Sequence, residues 1–285
     1  MELCRPSVIK KIMEENGIRF RKEYGQNFLI DPTVPERIAD ECADTAERLI
    51  LEIGPGIGCL TQELCLRYKK VLAVEIDKGL IPVLGETLRE YGNVTVLNDD
   101  VMEVDLPALV AREAEGLPVS VAANLPYYIT TPILMRFLES GVPFDSITVM
   151  VQKEVADRLT AMPGSADYGA ITAVLGYYGA ARRLFTVSAG SFMPAPKVDS
   201  AVIRLDLYKE KPICPADESL FFRVIKGAFE QRRKTLLNAL AAKLGMPKDV
   251  LLAAFAEAEL ASDIRGERLS TAAFAALADA IHKRV

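Results

Sequence analysis

The stretch Leu51 to Thr61, LEIGPGIGCLT, decides the fold. It passes from an apolar run directly into a glycine-rich turn and then into a helix that begins near Cys59. Such a strand–turn–helix junction marks the carboxyl edge of a doubly wound α/β sheet, the edge at which these folds bind nucleotides. Glycines at 54, 56 and 58 let the backbone approach a ligand closely. A dinucleotide fingerprint, G-x-G-x-x-G, carries its third glycine one position later and keeps the helix start clear for a pyrophosphate. Gly-Pro-Gly-x-Gly behind the acid Glu52 suits a ligand that brings no phosphate.

Outward from this junction, short apolar runs alternate with helical spacing between Arg48 and about Tyr208. Strands are expected at 48–54, 70–77, 93–99, 119–125 and 146–151, and their continuous apolar character predicts parallel strands buried on both faces. Covering helices are expected at 59–68, 79–91, 106–115 and 131–140, with further helices at 153–160 and near 170–178. RRLFTVSAG (182–190) and SAVIRLDLY (200–208) read as two more strands, paired at one sheet edge. Beyond the charged, proline-bearing KEKPICP (209–215), the spans 220–231, 235–244, 248–259 and 271–283 have helical spacing rich in alanine and leucine. The expected organisation is an α/β catalytic domain over 1–208, with an N-terminal helical segment at about 1–21, and a small all-helical domain over 209–285.

Composition narrows the chemistry. The chain has 285 residues, half of them hydrophobic, ample for a packed core. It shows no signal-peptide layout and no membrane-length apolar run, so the expected location is the cytoplasm. Five cysteines without a CxxC pair disfavour a disulfide framework or a zinc site, and the single histidine, His282, excludes a histidine-dependent triad. A net charge of −5 argues against a protein that coats nucleic acid over its whole surface. It leaves room for a local basic face, for which Lys226, Arg232, Arg233, Lys234 and Lys243 against the single acid Glu230 are the candidate.

Acids at successive strand ends identify the ligand. Glu75 closes the second strand 21 residues after Gly54, where a carboxylate accepts hydrogen bonds from ribose hydroxyls. Asp99 and Asp100 close the third, where a carboxylate receives the amino group of an adenine; Asp100 is the preferred candidate. A glycine-rich turn alone is common in α/β proteins, but turn, ribose acid and third-strand acid together favour S-adenosylmethionine over a dinucleotide.

The fourth strand then ends in an unusual way: VAANLPYYI (121–129) presents an amide, a proline and two phenols in succession. The exocyclic amine of a purine is a poor nucleophile because its lone pair is delocalised into the ring. A site that methylates it must accept both amine hydrogens so that the lone pair turns towards the methyl donor. The side-chain oxygen of Asn124 can take one hydrogen and the backbone carbonyl of Leu125 the other. Pro126 fixes the backbone and adds no competing N–H, and Tyr127 can stack on the base. Phe192, in a loop stiffened by two prolines, is expected to close the opposite face. The competing readings are an ordinary proline turn for 124–127, a loop anchor for Phe192 and a solvated helix face for the basic cluster.

Together the blocks GQNFLID (25–31), LEIGPGIGCLT (51–61), VEID (74–77), NLPYYITTPIL (124–134), QKEVADRL (152–159), FMPAPKVDSAVIRL (192–205) and AFEQRRKTLLNAL (228–240) resemble the small-subunit ribosomal RNA adenine dimethyltransferases. The likeness runs from about residue 21 to 270. It implies a Rossmann-like methyltransferase sheet with a helical C-terminal domain. The implied reaction converts two adjacent adenosines in the 3′-terminal hairpin loop of small-subunit ribosomal RNA to their 6-dimethyl forms, late in subunit assembly. The implied partner is an immature small subunit, with no membrane and no metal; the lack of a large exposed apolar run is the ground for expecting a monomer.

By motif, Gln26, Asn27, Leu29, Gly54, Gly56, Glu75, Ile76, Asp100, Val101 and Asn124 would contact S-adenosylmethionine, with S-adenosylhomocysteine as product. Asn124, Leu125, Pro126 and Tyr127 would hold the target base with Phe192 opposite, and Arg232, Arg233 and Lys234 would contact RNA phosphates. The rivals are the large-subunit adenine methyltransferases of antibiotic resistance, a non-catalytic assembly factor, and a nicotinamide dehydrogenase.

Overall fold

A computed structural model describes residues 2–18 and 26–284. Met1 and residues 19–21, at the two ends of the expected N-terminal segment, and Gly25, which opens GQNFLID, lie outside the described residues. Helix α1 (Pro6–Glu15) starts on a proline at its first turn and buries Ile9, Ile12 and Met13. A two-residue strand, β1 (Phe28–Leu29), and helix α2 (Thr33–Glu41) follow; neither is among the elements expected from sequence.

The expected parallel strands form as β2 (Leu49–Ile53), β3 (Lys70–Glu75), β4 (Val94–Asn98), β5 (Val119–Asn124) and β6 (Phe144–Gln152). Helices α3 (Cys59–Arg67), α4 (Ile81–Thr87), α5 (Leu106–Glu113) and α6 (Thr130–Glu139) connect them. All five residues of β2 are buried, as a central parallel strand requires. β4 departs from expectation: its residues are half-buried or exposed, because it forms the outer edge and has a neighbour on one side only.

Helices α7 (Lys153–Leu159) and α8 (Ala170–Tyr178) precede β7 (Gly179–Val187), a two-residue β8 (Phe192–Met193) and β9 (Ser200–Leu207). The seven-stranded sheet runs β4-β3-β2-β5-β6-β9-β7, with β9 antiparallel to β6, so the last two strands do sit together at one edge. β2 pairs in parallel with β3 on one side and β5 on the other. Strand order reverses at that point, and a crevice opens outside the carboxyl ends of these strands. At the opposite end of β2, buried Arg48 donates to the Ser120 hydroxyl (2.7 Å) and to Asp145 (3.2 Å), which satisfies its charge inside the sheet.

The chain divides into two compact units, Met1–Ala156 with Arg182–Leu207, and Asp157–Ala181 with Tyr208–Val285. This differs from a single boundary after residue 208. The reason lies in the helical core: Tyr168, Ala173 and Tyr177 are buried in one apolar cluster with Phe221, Phe255 and Phe274. That unit comprises α8, α9 (Glu218–Glu230), α10 (Leu236–Leu244), α11 (Lys248–Glu257) and α12 (Thr271–His282).

Candidate active site

The carboxyl ends of β2, β3 and β5 meet at a cleft that encloses about 820 Å³, part of it open to solvent. Its walls hold Gln26, Asn27 and Leu29 from the segment around β1, and Gly54 and Gly56 from the turn after β2. Glu75 and Ile76 from the end of β3 and the run Asn124 to Tyr127 beyond β5 complete them. The structure thus gathers most of the residues expected from sequence into one place.

Glu75 organises the nucleotide side. Its carboxylate accepts from the Gly56 amide (3.1 Å) and the Asp77 amide (2.8 Å), and these two bonds fix both oxygens. Burial pushes its pKa up, opposed by the same backbone donors. Gly56 has φ +63°, and a Cβ there would stand 3.1 Å from the Phe28 ring, so the turn needs glycine on both counts. Gln26 donates to Asp77 (2.9 Å), which ties the QNFL segment to the end of β3.

Asn124 donates its amide nitrogen to the Asn27 carbonyl (3.5 Å). Only nitrogen can donate to a carbonyl, so this bond leaves the side-chain oxygen as the acceptor the amide offers to a ligand. Leu125 buries its side chain, anchored by its amide on the Met150 carbonyl (3.3 Å). Among the described residues no donor reaches the Leu125 carbonyl. The Pro126 carbonyl accepts from the Ile129 amide (3.2 Å) and the Thr130 hydroxyl (3.3 Å), which closes the turn into α6. The Tyr127 hydroxyl bonds the Ser200 hydroxyl (2.7 Å), a contact that sets the ring's position, and burial raises its pKa.

Several expected residues lie elsewhere. Phe192 does not line the cleft: it is 3 % exposed, packs among Leu29, Ile38 and Val202, and pairs through β8 with Leu29 of β1. Its strand thus adjoins the segment that carries Leu29, one of the residues that do line the cleft. Asp100 and Val101 are also absent from the lining. The Asp100 carboxylate accepts from the Met102 amide (2.8 Å) and shapes the turn after β4, while Val101 is buried.

The basic trio falls between the expected helical spans 220–231 and 235–244. Residues 231–234 form the turn between α9 and α10 and lie on neither helix. Arg232 donates to the Ala166 and Tyr168 carbonyls (3.0 Å each), a structural task, whereas Arg233 and Lys234 are exposed and make no ion pair among the described residues.

Glu52 is one of several described lining residues for which the sequence offers no assigned contact, and the one charged residue among them. It lines the cleft at 1 % exposure, one side-chain oxygen has no hydrogen-bond partner among the described residues, and burial, with a lesser push from Glu75, raises its pKa to about 8. The signal was present, as an acid at the end of an otherwise apolar strand. A buried carboxyl with an unfilled oxygen fits a ligand that carries positive charge. Among the described residues no cluster of three or more histidine, cysteine or acidic side chains could hold a metal ion, and no helix is long and apolar enough to cross a membrane.

The family described as ribosomal RNA adenine dimethylase matches residues 17–283. A ribosomal RNA small subunit methyltransferase A of Lachnoclostridium phytofermentans is 48 % identical over 98 % of both chains. A protein of the same description from Streptococcus pneumoniae is 45 % identical over 99 % of this chain and 98 % of its own. Among solved structures, a dimethyladenosine transferase from Plasmodium falciparum is similar at TM-score 0.76 and 25 % identity, over 88 % of this chain and 95 % of that one. The 23S rRNA methyltransferase ErmE is similar at TM-score 0.71 and 27 % identity, over 90 % and 100 % respectively.

Proposed function

The chain belongs to the ribosomal RNA adenine dimethylase family, and from that premise we propose that it dimethylates the 6-amino groups of two adjacent adenosines in the 3′-terminal hairpin loop of small-subunit ribosomal RNA. The observation that carries this reading is the position of two oxygen acceptors, Asn124 Oδ1 and the Leu125 carbonyl, beside the Gly56–Glu75 cradle in one cleft. The near full-length relatives named for the small subunit favour that RNA over the large-subunit substrate in ErmE's name.

S-adenosylmethionine fits the residues present. Bound, it supplies an electrophilic methyl group on a cationic sulfur. Glu75, its carboxylate already set by two amides, would accept the ribose hydroxyls; Gly54 and Gly56 would let the backbone close on the nucleoside. The unfilled oxygen of Glu52 supports a place for the ligand's positive charge. Gln26, Asn27, Leu29, Ile76 and Asn124 would complete the contact, with Asp100 and Val101 at the adenine end.

The protein's part in the chemistry is to hold one amine. In the first transfer Asn124 Oδ1 and the Leu125 carbonyl accept its two hydrogens, which turns the nitrogen lone pair out of conjugation with the ring. In the second, one of them holds the single remaining hydrogen, and each transfer releases one proton to solvent. Tyr127, positioned by Ser200, offers a face to the base, and its raised pKa keeps it a neutral phenol at physiological pH. Methyl transfer from a sulfonium to a neutral amine needs no Lewis acid, so we assign no metal. The implied partner is an immature small subunit in the cytoplasm, bound by a monomer, with Arg233 and Lys234 on RNA phosphates. The test is to offer unmethylated small and large subunits with a labelled methyl donor. Label confined to small-subunit RNA supports the assignment, and label in the large subunit transfers it to the rival class.

A further inference from the structure

The turn that follows β5 carries two tyrosines, and the proposed reaction uses one of them. Tyr127 lines the cleft, is half-buried and is held by the Ser200 hydroxyl. Tyr128 is 64 % exposed and is the next residue in the chain beyond that lining. Among the described residues nothing hydrogen-bonds its hydroxyl and no ring or cation lies against it.

A single exposed apolar side chain is ordinary on a protein surface. Tyr128 differs because the backbone around it is fixed. The Leu125 amide donates to the Met150 carbonyl (3.3 Å), and the Pro126 carbonyl accepts from the Ile129 amide (3.2 Å) and the Thr130 hydroxyl (3.3 Å). Pro126 also restricts its own φ. Packing of the following helix does not call for the ring either: α6 buries Thr130, Ile133, Leu134, Phe137 and Leu138, and Tyr128 precedes the first of them. An unpartnered phenol is therefore presented on a rigid turn, one residue from the ring offered to the target base.

We propose that Tyr128 is a stacking platform for the base next to the target adenosine, and so a specificity-determining residue for a substrate with two adjacent purines. This rests on the reading of the cleft given above. Drawing one base out of a hairpin loop to reach Asn124 and the Leu125 carbonyl strips its neighbour of a stacking partner. That neighbour is joined to the target by a single phosphodiester. Consecutive Cα atoms stand about 3.8 Å apart, so rings at 127 and 128 are placed to take consecutive bases. Splayed loop bases are received on aromatic side chains in this way. A tyrosine has few side-chain torsions to lose, and here its backbone is already set. Stacking also needs no positive charge, which suits a cleft whose charged lining residues, among those described, are Glu52 and Glu75.

The test is methyl transfer to unmethylated small subunits by the full-length protein, with each adenosine followed separately. Tyr128→Ala should raise KM for the subunit about ten-fold at one or both adenosines, the order of one lost stacked base, with kcat little changed. S-adenosylhomocysteine affinity and the melting temperature should stay at their wild-type values. Tyr128→Phe should keep the wild-type KM, because the ring face carries the contact. Small subunits with uridine in place of one of the two adenosines separate the neighbouring base from the rest of the particle. At the adenosine that remains, wild type should weaken towards the level of Tyr128→Ala, and Tyr128→Ala should lose little more. An unchanged KM for Tyr128→Ala would overturn the platform. So would equal losses by wild type and Tyr128→Ala on the uridine substrate, which would set the ring against another part of the subunit. Both of those failures leave wild-type transfer intact, whereas wild type that transfers no methyl group to small subunits would overturn the proposed reaction and the platform together.

Discussion

At the scale of single residues, Glu52 makes a pH-dependent prediction. Its folded pKa of about 8 stands above the ordinary carboxylate value. Stability is therefore undiminished while the group stays protonated in both states, and is lost as pH rises from the unfolded pKa through about 8. Glu52→Gln removes that loss. Melting curves of the ligand-free proteins should coincide near the ordinary carboxylate pKa and separate in favour of the variant as pH rises; parallel curves across the range would mean that Glu52 is solvated or paired. Tyr127 gives a second prediction. Tyr127→Ala should weaken RNA substrate binding by about 1–3 kcal/mol, and Tyr127→Phe should retain most of it, because the ring face and not the hydroxyl meets the base. A KM for Tyr127→Phe as poor as for alanine would place the contribution in the Ser200 bond.

At the scale of elements, the junction after β2 depends on Gly56. Gly56→Ala should cost about 1–2 kcal/mol from backbone conformation alone, read by denaturant unfolding, and more where the Phe28 ring cannot yield. The turn between α9 and α10 separates two roles within one basic run. Neutralising Arg233 and Lys234 should lower the log–log salt slope of RNA binding by about one unit per lost phosphate contact and leave stability unchanged. Arg232→Ala should lower the unfolding midpoint, since its guanidinium holds the Ala166 and Tyr168 carbonyls. Equal salt effects from all three would return Arg232 to the interface.

This is also the scale at which the sequence was most and least legible. β2, β3, β5 and β6 were readable because strands covered on both faces are written as unbroken apolar runs, and the helices because their period is local. The pairing of Leu29 with Phe192 was not, since two-residue strands so far apart in the chain carry no period. Hence the burial of Phe192 beside Leu29 is not legible from its proline-stiffened loop. The assignment of residues 157–181 to the helical unit escaped for the same reason, because burial of Tyr168 and Tyr177 with Phe221 is not a local property. The cleft residues were legible where the requirement is local chemistry, as at Asn124, Glu75 and Gly56. Asp100 was placed from its position at a strand end, and its bond to the Met102 amide is a turn interaction that strand-end spacing does not reveal.

At the scale of the whole molecule, a chain of net charge −5 has no general affinity for a polyanion. Its RNA must be recognised through a folded surface and splayed bases more than by electrostatic attraction, which suits a hairpin loop within an assembled particle. The account rests on two oxygens that hold one purine amine. It is tested most directly by single-turnover transfer to unmethylated small subunits, with wild type and Asn124→Ala compared and the modified nucleotides mapped. Wild type should place methyl groups on two neighbouring adenosines of the 3′-terminal hairpin. The variant should lose about 100-fold or more in rate while still binding the subunit. Methylation by Asn124→Ala at near the parent rate, or label elsewhere in the RNA, would contradict the account.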